Sequence, residues 1–322
     1  MDLQEQARAV LPASVFHYYS AGAGEGISRD EAAAAWRAWR FLPRLFQDVS
    51  SVSTSTTLFG TQLAVPVLAG PTALHTLAHP EGEVATARGV AAAGSLLVQS
   101  SRAGRMIESD RWWFQAYVLR DRSLTEAQVR DAAGRGASAI VLTADAPYVY
   151  RNALPEAGDA APAVRPLEQR QDPALGADAV GWLAEFSGLP VLVKGVLRPE
   201  DAVAAVEAGA AGLIVSNHGG RQLDRAVASA DALDAVVAAV AARVPVLVDG
   251  GIRTGADVLT ALALGASAVL IGRPVLWALA TGGAEGVRNL LDLYRDDLAR
   301  TMAQAGVPSL ADVDGSLVTR RP

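Results

Sequence analysis

A closed barrel of eight parallel strands, each followed by a helix, is the architecture this sequence predicts. Three observations predict it. Short apolar runs recur eight times from about Val65 onward, alanine-rich stretches of helical character separate them, and the runs do not alternate with polar residues. Apolar runs without alternation belong to strands buried on both faces, as in a parallel sheet. Eight such strands separated by helices suit a TIM (β/α)8 barrel better than an open sheet. The chain has 322 residues, 51% hydrophobic and 19% charged, which supplies a large core and argues against disorder.

Ahead of the barrel, residues 1–60 are expected to form an N-terminal helical extension packed on it. Residues 3–38 read as two helices broken by a turn at Ser20-Ala21-Gly22-Ala23-Gly24. The expected strands are Val65–Ala69, Ser95–Gln99, Trp113–Tyr117, Ala139–Thr143, Val191–Lys194, Gly212–Ser216, Val246–Asp249 and Ala268–Ile271. Helices are expected at Gly82–Ala93, Leu124–Gly134, Pro199–Gly209, Ser229–Ala242 and Gly255–Leu264. Arg198-Pro199-Glu200-Asp201 places Pro and acids in a first turn, and Gly209 and Gly265 suit helix ends. Residues 153–172, rich in Ala, Pro and Asp, lie within a short mobile loop expected after the fourth strand, over residues 152–175. The whole chain, residues 1–322, reads as one domain.

Composition narrows the function. A net charge of −6 leaves no basic surplus for nucleic acid. Apolar runs end well before the ~20 residues needed to cross a bilayer, so no membrane partner is expected. Asp2, Glu5 and Arg8 do not make a secretory start. There is no cysteine, hence no disulfide, thiolate metal site or cysteine nucleophile, and no metal is expected. A cytoplasmic homo-oligomer is the expectation.

Barrel sites lie at the carboxyl ends of the strands. Here these ends carry Gln115 and Tyr117, Thr143 and Asp145, Lys194, then Ser216, Asn217 and His218. Asp249-Gly250-Gly251 and Gly272-Arg273 follow the last two strands. For any one residue, capping a strand is an equally good explanation; for the set, one shared pocket is better. The last two loops are the usual phosphate position, where glycines admit backbone N–H groups and Arg253 and Arg273 supply charge.

The stretch Ser216-Asn217-His218-Gly219-Gly220-Arg221-Gln222-Leu223-Asp224 resembles the FMN-dependent 2-hydroxy-acid oxidases and dehydrogenases, which include glycolate, lactate and hydroxymandelate oxidases and mandelate dehydrogenase. The likeness runs from Tyr18-Tyr19 through Pro71-Thr72-Ala73, His79-Pro80-Glu81-Gly82-Glu83 and Phe114-Gln115-Ala116-Tyr117. It continues through Leu142-Thr143-Ala144-Asp145, Leu192-Val193-Lys194-Gly195 and Asp249-Gly250-Gly251 to Gly272-Arg273-Pro274. It implies that bound FMN serves oxidation of a 2-hydroxy acid to a 2-keto acid. His218 takes the proton, Asp145 orients it, and the hydride equivalent goes to flavin N5, with oxygen or another acceptor taking the electrons. Arg221, Tyr18 and Tyr117 match substrate contacts. Thr72, Ser100, Gln115, Thr143, Lys194 and Ser216 match flavin contacts. Asp249, Gly251, Arg253, Gly272 and Arg273 match the ribityl and phosphate contacts. His17, His75 and His79 are given no catalytic role.

Two departures stand out. The family's second substrate arginine follows the fourth-strand aspartate, but here Asp145 leads into Ala146-Pro147-Tyr148-Val149-Tyr150-Arg151-Asn152. Counted without gaps, Asn152 takes that position with Arg151 beside it as a substrate-binding candidate, whereas if residues have been lost Arg151-Asn152 matches a later part of the loop; Arg102, in a pocket-lining position, either replaces the missing cation or faces solvent. Only 48 residues separate Asp145 from Lys194, and the segment from Ser101 to Trp113 is also short. A trimmed lid opens the pocket, so a bulky or aryl, mandelate-type acid is expected. The alternative is an FMN-binding barrel that has lost hydroxy-acid oxidation and serves a binding or different redox role.

Overall fold

The computed structural model describes residues 2–148 and 167–321. Eight parallel strands close a barrel: β1 (Val67–Ala69), β2 (Leu97–Ser100), β3 (Trp112–Ala116), β4 (Ile140–Thr143), β5 (Val191–Val196), β6 (Gly212–Val215), β7 (Val246–Asp249) and β8 (Ala268–Ile271). The seam closes by pairing β8 with β1, Leu270 opposite Leu68. Every expected strand is present, its ends within two residues of the expected ones.

The barrel is filled, not hollow. Leu68, Val98, Trp113, Val141, Leu192, Ile214, Leu247 and Leu270, one from each strand, form a single buried cluster. A hairpin of Thr56–Leu58 and Thr61–Leu63 stoppers the amino-terminal end. Its Leu58 and Leu63 join the cluster, and Phe59 meets Trp113 edge to face at 5.5 Å. The opposite pleat, including Val67, Leu97, Phe114, Ile140 and Val215, belongs to the larger cluster beneath the helices. Both faces are therefore apolar, which is why the runs do not alternate.

The amino-terminal region differs from expectation. It holds three helices, α1 (Leu3–Val10), α2 (Ala13–Ser20) and α3 (Ile27–Trp36). The extra break falls at Leu11-Pro12, where Pro12 has no N–H to donate and Leu11 is extended (ψ 146°). The turn expected at residues 20–24 separates α2 from α3. The extension is helical only to Trp36; Trp39–Phe41 then pairs antiparallel with Val318–Arg320.

Around the barrel run α4 (Glu83–Ala92), α5 (Arg122–Gly134), α6 (Asp178–Ser187), α7 (Pro199–Glu207), α8 (Ser229–Val240), α9 (Gly255–Ala263) and α10 (Arg273–Ala305). Of the loop expected at 152–175, residues 152–166 lie outside the described residues, as does Arg151. No helix among the described residues is long and apolar enough to cross a membrane.

Trp113 is fully buried inside the barrel, so Trp113→Ala should destabilise the protein by about 3–5 kcal/mol. A denaturant titration that finds less than about 1 kcal/mol would show the interior to be loosely packed.

Candidate active site

Side chains of a strand alternate, so residues two apart face the same way. Two residues beyond each member of the apolar plug, the inward position at the carboxyl end is Gly70, Ser100, Gln115, Thr143, Lys194, Ser216, Asp249 or Gly272. One turn of the pleat thus converts a hydrocarbon floor into a polar rim, with glycines at β1 and β8 leaving space. Two arcs of the rim are hydrogen-bonded. Ser100 Oγ donates to Gln115 Oε1 (3.0 Å) and Gln115 Nε2 to Thr143 Oγ1 (2.9 Å). Lys194 Nζ donates to Ser216 Oγ (2.7 Å) and pairs with Asp249 Oδ2 (3.1 Å).

Lys194 is buried. Burial would lower its pKa, but Asp249 and Asp145 more than offset this and hold it above the ordinary lysine value. A buried, fixed positive charge therefore sits at the rim.

The stretch after β6 performs several tasks at once. His218, Gly219 and Gly220 have φ of 59°, 64° and 69°, a run of left-handed residues that is costly at a histidine. Ser216 Oγ accepts from the His218 N–H (3.0 Å), and Asn217 Oδ1 from the Gly220 N–H (3.2 Å). A Cβ on Gly220 would lie 2.5 Å from Arg29 N, so only glycine lets α3 press against this loop. Asp224 then caps α3, accepting from the N–H groups of Glu25, Gly26 and Ser28 at 2.8–3.1 Å.

So held, His218 Nδ1 lies 2.9 Å from Asp145 Oδ1. Burial alone would raise the Asp145 carboxyl, but His218 and Lys194 beside it keep it below the ordinary aspartate value. An ionised Asp145 accepts from Nδ1–H, which leaves Nε2 with its lone pair.

Sequence reasoning missed what makes room for Asp145. Gly195 has φ +108° and sits where β5 bulges between Lys194 and Val196. A Cβ there would be 2.5 Å from Asp145 Cβ and 2.9 Å from Asp145 N. The sequence shows a glycine inside an apolar strand, a recognised sign of a bulge or close approach, but not what approaches it.

The substrate residues gather around the end of α2. Arg221 Nη1 donates to the carbonyls of Tyr18, Tyr19 and Ala21 (3.0–3.2 Å), and its guanidinium lies 5.3 Å from the Tyr18 ring centroid. Arg273 donates to Tyr19 O, Ala21 O and Gly219 O, each at 3.0 Å. Two guanidinium groups thus satisfy the negative end of one helix. Burial raises the Tyr18 hydroxyl, and burial with Asp145 nearby pushes Tyr117 up to about 12, so both remain proton donors at neutral pH. Arg102 lies over the Tyr117 ring at 5.4 Å.

All of this surrounds one cavity of about 820 Å³. Its walls include Tyr18, Thr72, Ser100, Arg102, Gln115, Tyr117, Thr143, Lys194, His218, Arg221, Asp249, Gly251, Arg253, Gly272 and Arg273. Of the expected residues that are described, two are absent from the walls. Asp145 stands behind His218. Ser216, expected as a flavin contact, has a hydroxyl that accepts from both Lys194 and His218 and keeps its own hydrogen to donate. His75 is buried with Nε2 2.6 Å from Thr72 Oγ1 and Nδ1 2.9 Å from Thr86 Oγ1, which ties down Thr72.

The donor set fits FMN. Asp249 Oδ1 is buried without a protein donor, as a ribityl hydroxyl would require. Gly250 and Gly251 are left-handed, and a Cβ on Gly251 would strike Ala32 O at 2.1 Å. Burial and the charges of Arg221, Arg253 and Arg29 lower Arg273 to about 9. Crowded cations of this kind are relieved by an anion such as phosphate.

Comparison with known proteins agrees. A model of the FMN-dependent dehydrogenase family matches residues 7–165 and 150–320. The chain is 40% identical over 352 residues to an L-lactate oxidase of Nostoc sp., covering 98% of this chain and 96% of that one. It is 40% identical over 347 residues to glycolate oxidase 1 of Oryza sativa subsp. indica, covering 97% and 93%. A solved mandelate oxidase variant with the C4a-OH-FMN adduct superposes with a TM-score of 0.89 at 38% identity over 99% of each chain. The chain therefore belongs to the FMN-dependent dehydrogenase family, as a flavoenzyme that uses FMN to oxidise a 2-hydroxy acid.

Proposed function

We propose that the substrate is a bulky, aryl-type 2-hydroxy acid and that His218 removes its hydroxyl proton. The observation that carries this reading is the His218–Asp145 pair at 2.9 Å, set in the same cavity as Arg221 and Tyr117. The substrate carboxylate pairs with the Arg221 edge not used by α2 and accepts from Tyr18. Tyr117 donates to the reacting oxygen. Nε2 of His218 receives the hydroxyl proton, and ionised Asp145 stabilises the resulting imidazolium. When bound, FMN supplies at N5 the two-electron sink for the hydride equivalent of the α-carbon. Lys194, Gln115, Thr143, Ser100 and Thr72 hold its ring end, with Lys194 countering negative charge there. Asp249, Gly251, Arg253, Gly272 and Arg273 hold the ribityl and phosphate end.

Two observations support bulk. The alignment to the lactate oxidase spans 352 positions against a chain of 322, so at least 30 (352 − 322) have no counterpart here. A solved structural neighbour acts on mandelate by name. Its name and those of the relatives also support oxygen as acceptor, reduced to hydrogen peroxide by the two electrons and two protons removed. Leu42, Leu45 and fully exposed Phe46 support a homo-oligomer.

Mixing the holoenzyme anaerobically with mandelate, lactate and glycolate should bleach the flavin fastest with mandelate; glycolate or lactate far ahead would overturn the bulky-substrate reading. His218→Ala should keep the yellow colour and slow bleaching by about 10²–10⁴-fold.

Gly195→Ala should retain FMN and fold but displace Asp145, slowing bleaching by at least about tenfold, within the usual range for a disturbed acid–base partner. An unchanged rate would show that Asp145 tolerates the methyl group. Asp145 has a depressed pKa, so its pairing stabilises the fold above the unfolded value of about 3.9 and is lost as pH falls through the folded one. The stability difference between the native protein and Asp145→Asn should then shrink as pH falls below about 4. Chemical denaturation at each pH measures it.

A further inference from the structure

The stretch His79-Pro80-Glu81-Gly82-Glu83 has no part in the chemistry above, yet it ends in a carboxylate side chain on a residue only 1% exposed. Glu83 opens α4 and spends both oxygens on backbone N–H groups of two separate loops. Oε1 accepts from His75 N–H (3.0 Å), in the loop after β1, and from Gly104 N–H (2.9 Å), in the loop after β2. Oε2 accepts from Arg105 N–H (3.1 Å). A Cβ on Gly104 would strike Thr76 Oγ1, so a glycine is what lets the second loop settle onto the carboxylate. Hydrogen bonds to a carboxylate are of the strong kind, and burial makes them stronger.

Gln99 on β2, equally buried, grips the same loop. Its Nε2 donates to Arg105 O (2.9 Å) and its Oε1 accepts from Ile107 N–H (3.2 Å). Gly104 and Arg105 are themselves exposed, so water could satisfy their backbone. Two buried polar side chains clamp them instead. The clamped loop carries Arg102, whose N–H donates to Ser100 Oγ (3.1 Å) and whose guanidinium lies 5.4 Å from the Tyr117 ring centroid. A guanidinium over a phenol ring is attracted to its face, so where Arg102 is held bears on where Tyr117 points. The other arm of the carboxylate leads to the cofactor end, through His75 to Thr72 on the cavity wall.

We propose that Glu83 is a positioning residue for the reaction: with Gln99 it clamps the loop after β2, holds Arg102 on Tyr117, and so aims the Tyr117 hydroxyl at the reacting oxygen. Neither Glu83 nor Gln99 lines the cavity, and both act through the loop. Arg102 is thereby assigned to the support of Tyr117 rather than to a second contact with the substrate carboxylate.

This inference rests on the 2-hydroxy-acid reading, and its test uses binding instead of turnover. Benzoylformate offers a carboxylate to Arg221 and a keto oxygen to Tyr117, whereas phenylacetate offers the carboxylate alone. Each is titrated into the FMN-loaded protein, with Kd read from perturbation of the flavin spectrum. In Glu83→Gln the amide oxygen can keep His75 and Gly104 while its NH2 faces the Arg105 N–H, which loosens the loop and spares the cofactor end. Benzoylformate should then bind about five- to tenfold more weakly, the range of one hydrogen bond, and phenylacetate less than about twofold. Gln99→Met and Arg102→Met should give the same pair of changes. Adding Glu83→Gln to Arg102→Met should cost less than about a further twofold, because both act through one contact. A merely structural role would weaken both ligands and add in full to Arg102→Met. Unchanged benzoylformate binding in Glu83→Gln, equal weakening of the two ligands, or a full effect on top of Arg102→Met would each overturn the inference. If Glu83→Gln does not retain FMN, Gln99→Met decides by the same three criteria. Failure of mandelate to bleach the flavin would overturn the oxidation reading and leave the binding comparison to decide the clamp.

Discussion

The pleat of the barrel strands is the constraint on which the site depends. Because side chains alternate, the eight inward residues that close the floor fix the identity of the ring above them. That ring holds Lys194 in a buried position that no lone ammonium would tolerate, and it does so by surrounding the charge with Asp249, Ser216 and Asp145. The floor excludes water from below, which strengthens each interaction in the ring. Apolar packing and flavin chemistry are thus not separate properties of this barrel. A one-residue slip of any strand would exchange rim for helix-packing face and lose both.

The substrate end obeys a different logic. Its arginines are positioned by the carbonyls of α2 rather than by carboxylates. A carboxylate partner would neutralise Arg221 and compete with the substrate. Backbone carbonyls orient the guanidinium while leaving its full charge for an incoming anion. The left-handed run at His218–Gly220 and the cap at Asp224 complete the arrangement by fastening α3 to the same loop. The nine residues after β6 are therefore as much a clasp for the amino-terminal helices as a catalytic sequence.

Much of this was legible in the sequence, for identifiable reasons. Strands buried on both faces write themselves as unbroken apolar runs, and rim residues appear as the polar letters that end them. Gln115, Thr143, Lys194 and Asp249 were visible in that way. Ser216 obeyed the same rule, but that it receives hydrogen bonds from both Lys194 and His218 became visible only after folding. Gly195 was visible as an anomaly without a meaning, because its reason is the position of Asp145 on another strand. The break at Leu11-Pro12 was locally encoded and could have been read from the proline. The grip of Glu83 on Gly104 and Arg105 could not, since it joins a helix to a loop 21 and 22 residues further on.

The pairing of Trp39–Phe41 with Val318–Arg320 has a consequence for the order of assembly. This small sheet cannot exist until residue 320 has been synthesised, whereas every barrel strand is complete by residue 271. The barrel can therefore close, and its rim form, while the segment that leads back to Tyr18 is still without its partner strand. On the ribosome, the cofactor end of the site can be built before the substrate end is locked in place. The small sheet thus ties a segment that precedes the barrel to one that follows it.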